Sequence, residues 1–250
     1  MTPDLVVDVG NSRIKWGRCL DGRVSEYTSL AADFADWSRM SDAWKLLRGT
    51  RWVVSSVQPP RCTAFVEWAN ARGDRAMVLD SVERLPIRIR VAEPARVGMD
   101  RLLDAVAAQS RCSPGTPAII VDAGSAVTVD WLDESGAFSG GAIFPGVRLM
   151  AKSLHEHTAL LPLVSVQSEP PELPGTSTPD AIKAGIHSAV VGGVRHLIER
   201  LGAQARSRAK VFVTGGDGAL VAGSLGEHAV LWPEMTLEGI RLAAEALSQE

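Results

Sequence analysis

Apolar and polar positions along the chain switch between two periods, and the switches fall at glycine and proline. LVVDVG (5–10) is a β-branched run ending on Asp8 and Gly10, which reads as a strand and a tight turn. RIKWGRCL (13–20) and RVSEYTSL (23–30) flank Asp21–Gly22, a pair that favours a two-residue hairpin turn. Phe34, Trp37, Met40, Trp44 and Leu47 recur at helical spacing and predict a helix over 33–48, followed by the strand RWVVSSV (51–57). A second helix–strand pair is expected near 61–72 and 76–80. PIRIRVA (86–92) sets Ile87, Ile89 and Val91 against Arg88 and Arg90, as a half-exposed strand does. A helix follows over 100–110, and CSPGTP (112–117) is the best linker candidate.

After the linker the opening pattern returns. AIIVDAGSAVTVDWLDESGAFSGG reads strand, Asp–x–Gly turn, strand, polar turn, strand. At a constant offset of 114, Val6 and Val7 meet Ile120 and Val121, Asp8 meets Asp122, Gly10 meets Gly124 and Gly22 meets Gly136. Two matched turns at one offset point to internal duplication. Helices are then expected near 146–156 and over 180–202, separated by the Pro-rich loop PPELPGTSTP (170–179). Thr178 is placed to cap the long helix, with Pro179 at its first position. KVFVTGGDG (210–218) is a strand ending in a glycine turn, and a last helix over 236–248 has Thr236 placed to cap it. The order predicts an α/β protein of two similar lobes, 1–113 and 114–250.

Composition leaves that architecture standing and removes several functions. At 250 residues, 46% hydrophobic and 22% charged, the chain has the make-up of an ordinary globular protein. The formal net charge of −3 gives no electrostatic case for nucleic-acid binding. No uncharged apolar stretch approaches the ~18 residues of a membrane span. MTPDLVVDVG lacks the basic and apolar regions of a signal peptide, so a cytoplasmic protein is expected. Cys19, Cys62 and Cys112 are widely separated, which argues against a disulfide framework or zinc knuckle and for small buried hydrophobes. The seven tryptophans fall mostly on apolar faces, where core packing competes with base stacking.

The candidate chemistry lies in the turns. DVGNS (8–12), DAGSA (122–126) and TGGDG (214–218) each follow a strand, and such glycine turns let backbone N–H groups approach phosphate oxygens. Asn11, Ser12 and Ser125 add side-chain donors, whereas Asp8 and Asp122 repel phosphate unless a cation lies between. There is no Walker A or dinucleotide-binding motif, so phosphate would be gripped by two opposed hairpins. In GMDR (98–101), Asp100 stands at the start of a helix. It reads either as an N-cap or as a general base beside Arg101, which suits an anionic substrate.

Taken together, DVGNSRIKWG, VGMDR, DAGSAVTVD, GGAIFPG, LLP, STPDAIKAG, TGGDG and TLEGI resemble, in order and spacing, the type III pantothenate kinases over nearly the whole chain. The resemblance implies the duplicated two-lobed fold of acetate and sugar kinases, Hsp70 and actin. It implies a homodimer that uses ATP, Mg²⁺ and K⁺ or NH₄⁺ to phosphorylate pantothenate, the first step of coenzyme A synthesis. On this resemblance Asp8, Val9, Gly10, Asn11, Ser12, Arg13, Ile14 and Lys15 form the first ATP loop, with Asp8 near Mg²⁺. Ser125 supplies a second ATP-binding hydroxyl and Asp122 a monovalent-cation ligand. Gly98, Met99, Asp100 and Arg101 bind pantothenate, Asp100 being the catalytic base, and Thr178 contacts pantothenate from the partner subunit's side.

Two departures stand out. Ser12 and Ser125 replace the threonines usual in the family, keeping the hydroxyl. Val91 stands where many members carry a tyrosine lining the substrate site, a change expected to weaken substrate binding by about 1–3 kcal/mol if a hydrogen bond is lost. A silent regulatory relative and a kinase of another small alcohol are the alternative readings, the first disfavoured by the intact Asp8, Asp100, Arg101 and Asp122.

Overall fold

The first apolar run becomes β1 (Leu5–Val9), buried at every position, as befits a strand paired on both edges and covered on both faces. β2 (Ile14–Leu20), β3 (Arg23–Leu30), α1 (Phe34–Ala43), β4 (Arg51–Ser56), α2 (Pro59–Ala71), β5 (Arg75–Val78) and α3 (Met99–Ser110) follow. The chain then continues through β6 (Ala118–Ala123), β7 (Ala126–Leu132), β8 (Phe138–Pro145), α4 (Val147–Glu156) and α5 (Thr178–Gly202). β9 (Lys210–Thr214), α6 (Gly218–Leu225), β10 (Ala229–Leu231) and α7 (Met235–Ala246) complete it. The structure, a computed structural model, describes residues 2–31, 33–167 and 169–248. They divide into two units, Met1–Arg88 with Ala92–Ser110 and Glu234–Glu250, and Ile89–Val91 with Arg111–Pro233.

The first unit holds a sheet in the order β3-β2-β1-β4-β5. β1 pairs antiparallel with β2 and parallel with β4, which pairs parallel with β5. Asp21 and Gly22 take φ of 51° and 71°, as the expected hairpin turn requires. Helix α1 stops short of residue 48 because Lys45 enters the left-handed region at φ 51° and its N–H donates to Asp42 O at 3.0 Å. Leu47, assigned to the apolar stripe, therefore lies exposed. Trp16, Trp37, Trp52 and Phe65 fill the core, with Trp16 edge-on to Trp52 at 4.9 Å and to Phe65 at 5.8 Å. These tryptophans are core, as their apolar faces predict. Asp74 ties the loops beneath them, accepting from Gly49 N–H (3.0 Å), Thr50 N–H (3.2 Å), Trp52 Nε1 (3.0 Å) and Arg72 Nε (2.9 Å).

Helix α7 also packs here, against α3 and β1. Division of the chain at 113/114 put it in the other lobe. Glu238 fastens it, accepting Val24 N–H at 2.8 Å on one oxygen and Arg241 Nε at 2.7 Å on the other. Thr236 does not cap this helix: Met235 begins it and Thr236 is buried within its first turn.

The second unit repeats the first sheet's plan, in the order β8-β7-β6-β9-β10. β6 pairs antiparallel with β7 and parallel with β9, and β9 pairs parallel with β10. The duplication read from the offset thus reaches the level of register. Asp8 lies opposite Lys15 and beside Ser55, and Asp122 lies opposite Thr128 and beside Thr214. Residues 86–92 do not form the expected strand. Pro86 removes a donor, and the segment keeps one bridge, Ile89 to Phe138, with Arg90 N–H donating to Phe138 O at 2.8 Å. Ser177, not Thr178, caps α5, its Oγ accepting Asp180 N–H at 3.3 Å, so Thr178 and Pro179 are the first two helical residues. All three cysteines are free, and burial pushes the Cys19 thiol up to about 12.

Candidate active site

The first glycine turn is built where β1 hands over to β2. Gly10 N–H donates to Arg13 O at 3.0 Å and closes the loop. Val57 N–H and Ser56 Oγ, at the end of β4, each donate to Val9 O at 3.3 Å and fix its base. On the first turn of α2, Arg61 donates through Nη1 to Gly10 O at 2.7 Å and Asn11 O at 2.9 Å. Asp8 is only 9% exposed, and its cross-strand neighbour Lys15 shares its face of the sheet. Burial pushes the Asp8 carboxyl up to about 6, while Lys15 draws it down and the Asp100 carboxylate pushes it up. Asp8 and Asp100 therefore sit within electrostatic reach of each other.

Asp100 is the second residue of α3, inside the helix rather than before it, so the N-cap reading fails. Its Oδ1 accepts the N–H of Arg101 at 2.9 Å, which turns the carboxylate back along the first turn. Gly98 leaves room for this: a Cβ there would stand 2.5 Å from Asp100 Oδ1. A side chain at 98 would displace the Asp100 carboxylate. Met99 is buried and anchors the segment, whereas Asp100 is half-buried.

In the second unit the structure brings together two turns that the sequence shows separately. Gly124 N–H donates to Ala126 O at 3.0 Å, and Asp217 N–H donates to Ala123 O at 2.8 Å. Gly146 N–H donates to Ser125 O at 3.0 Å, so the start of α4 meets the same turn. Gly215 takes φ 94°, and a Cβ there would stand 2.3 Å from Asp122 Oδ1 and 2.4 Å from Ala123 O. Only glycine lets TGGDG close over DAGSA. Burial pushes the Asp217 carboxyl up, with Arg148 drawing it down.

The remaining candidates lie elsewhere. Val91 is half-buried, its Cγ1 3.6 Å from where a Cβ on Gly140 would be. Thr178 is exposed on the wall of a groove of about 1060 Å³ between α4 and α5, lined by Leu149, Met150, Leu154, Leu161 and Ile182. Sequence reasoning missed Arg61 and the Gly215–Asp122 approach. Both join residues far apart in the chain, and neither carries a local pattern.

Among the described residues no group of three or more His, Cys, Asp or Glu side chains converges as a metal cage. A divalent ion would need phosphate oxygens besides protein ligands, the usual arrangement for Mg²⁺ in phosphoryl transfer. Asp8 fits that part, being a carboxylate whose charge burial makes costly and a cation would relieve. Among the described residues no helix is long and apolar enough to cross a membrane.

A family model described as type III pantothenate kinase matches residues 4–200. A protein of Alkalilimnicola ehrlichii named type III pantothenate kinase is 34% identical over 251 residues, covering 97% of this chain and 98% of its own. Among solved structures, a Baf-family transcriptional activator from Campylobacter jejuni superposes with a TM-score of 0.64 at 19% identity, covering 98% of this chain and 100% of its own. The activator of 2-hydroxyisocaproyl-CoA dehydratase from Clostridium difficile, with bound ADPNP, gives 0.58 at 14% identity and covers 98% of this chain and 96% of its own. At these identities the two structures speak to the fold alone, the duplicated α/β fold of actin-like ATPases and kinases.

Proposed function

The chain belongs to the type III pantothenate kinase family, and on that premise we propose how its own residues carry the reaction. The reaction is ATP-dependent phosphorylation of pantothenate to 4′-phosphopantothenate, the first step of coenzyme A synthesis. The single observation that carries the assignment of roles is the Asp100 carboxylate, held by the Arg101 N–H against Gly98 and within electrostatic reach of Asp8.

Asp100 accepts the proton of the pantothenate hydroxyl, and Arg101 is suited to the substrate carboxylate. In a loose phosphoryl-transfer transition state the hydroxyl gives up its proton late, so a carboxylate of ordinary basicity serves if it is well placed. Gly10 to Lys15 offer backbone and side-chain donors to the ATP phosphates, and Ser125 offers a hydroxyl. Asp8 would hold Mg²⁺, which when bound offsets phosphate charge. Asp122 would hold K⁺ or NH₄⁺. Its carboxylate lies against the Gly215 backbone and beside Thr214, in an oxygen-rich setting suited to a weakly held cation. Val91 lines the substrate side without the hydroxyl of the family's tyrosine.

Purified protein is expected to form ADP from ATP and Mg²⁺ only when pantothenate is present. Asp100→Asn is expected to keep the fold by circular dichroism and lower turnover by about 10²–10⁴. Turnover of the variant within a few-fold of the parent removes Asp100 from the chemistry. The same assay in sodium, potassium and ammonium at fixed ionic strength tests Asp122. Potassium or ammonium is expected to be faster, and Asp122→Asn to lose that difference.

The groove between α4 and α5 is apolar and open, and we assign it to a second copy of the chain, with Thr178 directed to the partner's pantothenate site. Sedimentation equilibrium is expected to give twice the 26.6 kDa chain mass. A monomer at working concentration would remove Thr178 from the substrate site.

A further inference from the structure

Arg61 belongs to none of the roles above, yet its guanidinium is fixed on the backbone of the first phosphate turn. It sits on the first turn of α2, and one nitrogen, Nη1, donates to Gly10 O at 2.7 Å and Asn11 O at 2.9 Å. That nitrogen carries two hydrogens, so each carbonyl receives its own.

The two carbonyls belong to consecutive peptide units, Gly10–Asn11 and Asn11–Ser12. Neither is cis, the one cis bond among the described residues being Leu173–Pro174. In a trans peptide the C=O and N–H point in opposite directions across a plane whose rotation is strongly opposed. Drawing both carbonyls toward α2 therefore aims the N–H groups of Asn11 and Ser12 the other way. Successive N–H groups aimed to one side form the concavity that receives an anion. Gly10 N–H has a different task, closing the turn on Arg13 O at 3.0 Å.

We infer that Arg61 is a positioning residue that sets the direction of the Asn11 and Ser12 amides for the nucleotide phosphates. This rests on the reading of Gly10 to Lys15 as the ATP loop. The pull on the carbonyls also polarises both peptide units, making their N–H groups better donors. The rest of the turn is held by bonds to Val9 O from Ser56 Oγ and Val57 N–H. Loss of Arg61 thus leaves the loop attached and closed on Arg13 but removes the guanidinium's hold on the Gly10 and Asn11 carbonyls.

The test uses Arg61→Gln and, should that variant fail to fold, Arg61→Lys, whose shorter, single-pronged amine cannot reproduce the guanidinium's hold on both carbonyls. ADP affinity is measured by calorimetry with Mg²⁺, hydrogen exchange of residues 10–13 is followed without nucleotide, and KM is measured for each substrate. The expected result is ADP binding weakened about tenfold and faster exchange in 10–13. The KM for ATP is raised with the KM for pantothenate within twofold. ADP affinity within twofold of the parent overturns the inference. So does weaker binding with unchanged exchange, which would make Arg61 a bare charge, and so does an equal rise in both KM values, which would make it a general support. An unmodified protein that binds ADP but ignores pantothenate would instead overturn the substrate assignment and leave this test intact. No ADP binding at all would overturn the ATP-loop reading itself.

Discussion

Asp8, the residue proposed to hold Mg²⁺, is buried at a cost to the fold. Its folded-state carboxyl is pushed up to about 6 from 3.8, chiefly by burial, so the native state takes up a proton at higher pH than the unfolded chain does. Between those values stability from this group rises as pH falls; above about 6 the whole cost of the buried charge is present. Asp8→Asn is therefore expected to stabilise the unliganded protein at pH 7.5 by about 1–3 kcal/mol, with loss of activity. The gain is expected to shrink toward zero near pH 4, and urea melts at the two pH values check it. A less stable variant at pH 7.5 would falsify the account. The sequence marked Asp8 as a carboxylate at a glycine turn, where a bound phosphate would call for a cation between them. The depth of its burial was not legible, since it depends on the tertiary packing that places β1 inside the sheet, between β2 and β4. Nor was the setting of Asp100, whose carboxylate folds back onto Gly98 from inside the helix.

Among the elements, most strands and the hairpin turns follow their local sequence and the caps do not. LVVDV and the Asp21–Gly22 turn appear as read, because β-branched runs and paired positive-φ residues have few other uses. Thr178 and Thr236 are each one or two residues from the true helix start, where neighbouring hydroxyls and packing compete for the cap. Residues 86–92 have the alternation of a strand but only a single bridge, showing that alternation needs a partner with free donors. The loops are held by long-range acceptors such as Asp74, to which four donors converge from the loop before β4, from Trp52 and from Arg72. Asp74→Ala is expected to cost about 3–5 kcal/mol, because it strands buried donors and an arginine together. Chemical denaturation reads the loss, and a cost under 1 kcal/mol would show that water replaces the carboxylate.

For the whole molecule, the duplication was legible down to matching aspartates, because each half keeps the same strand, turn and hairpin order. The return of α7 to the first unit was not: nothing in its amphipathic pattern names the surface it covers. Met235, Leu237 and Ile240 are fully buried there. A chain ending at Pro233 uncovers the sheet face opposite the Trp16, Trp37 and Trp52 cluster and is expected to have a lower urea midpoint, read from tryptophan fluorescence, which a peptide of residues 234–248 restores. An unchanged midpoint in the truncated chain would show that the first unit closes without α7.

That last helix also sets a timetable. During synthesis the strands of the first unit leave the ribosome early, but the piece that seals them follows only after the whole second unit has been made. At 5–20 residues per second the unsealed half waits on the order of ten seconds. Throughout that wait the sheet face opposite the tryptophans, which carries Val6, Gly17 and Val24, lacks the helix that covers it, and this makes the half translated first the one that calls on chaperones.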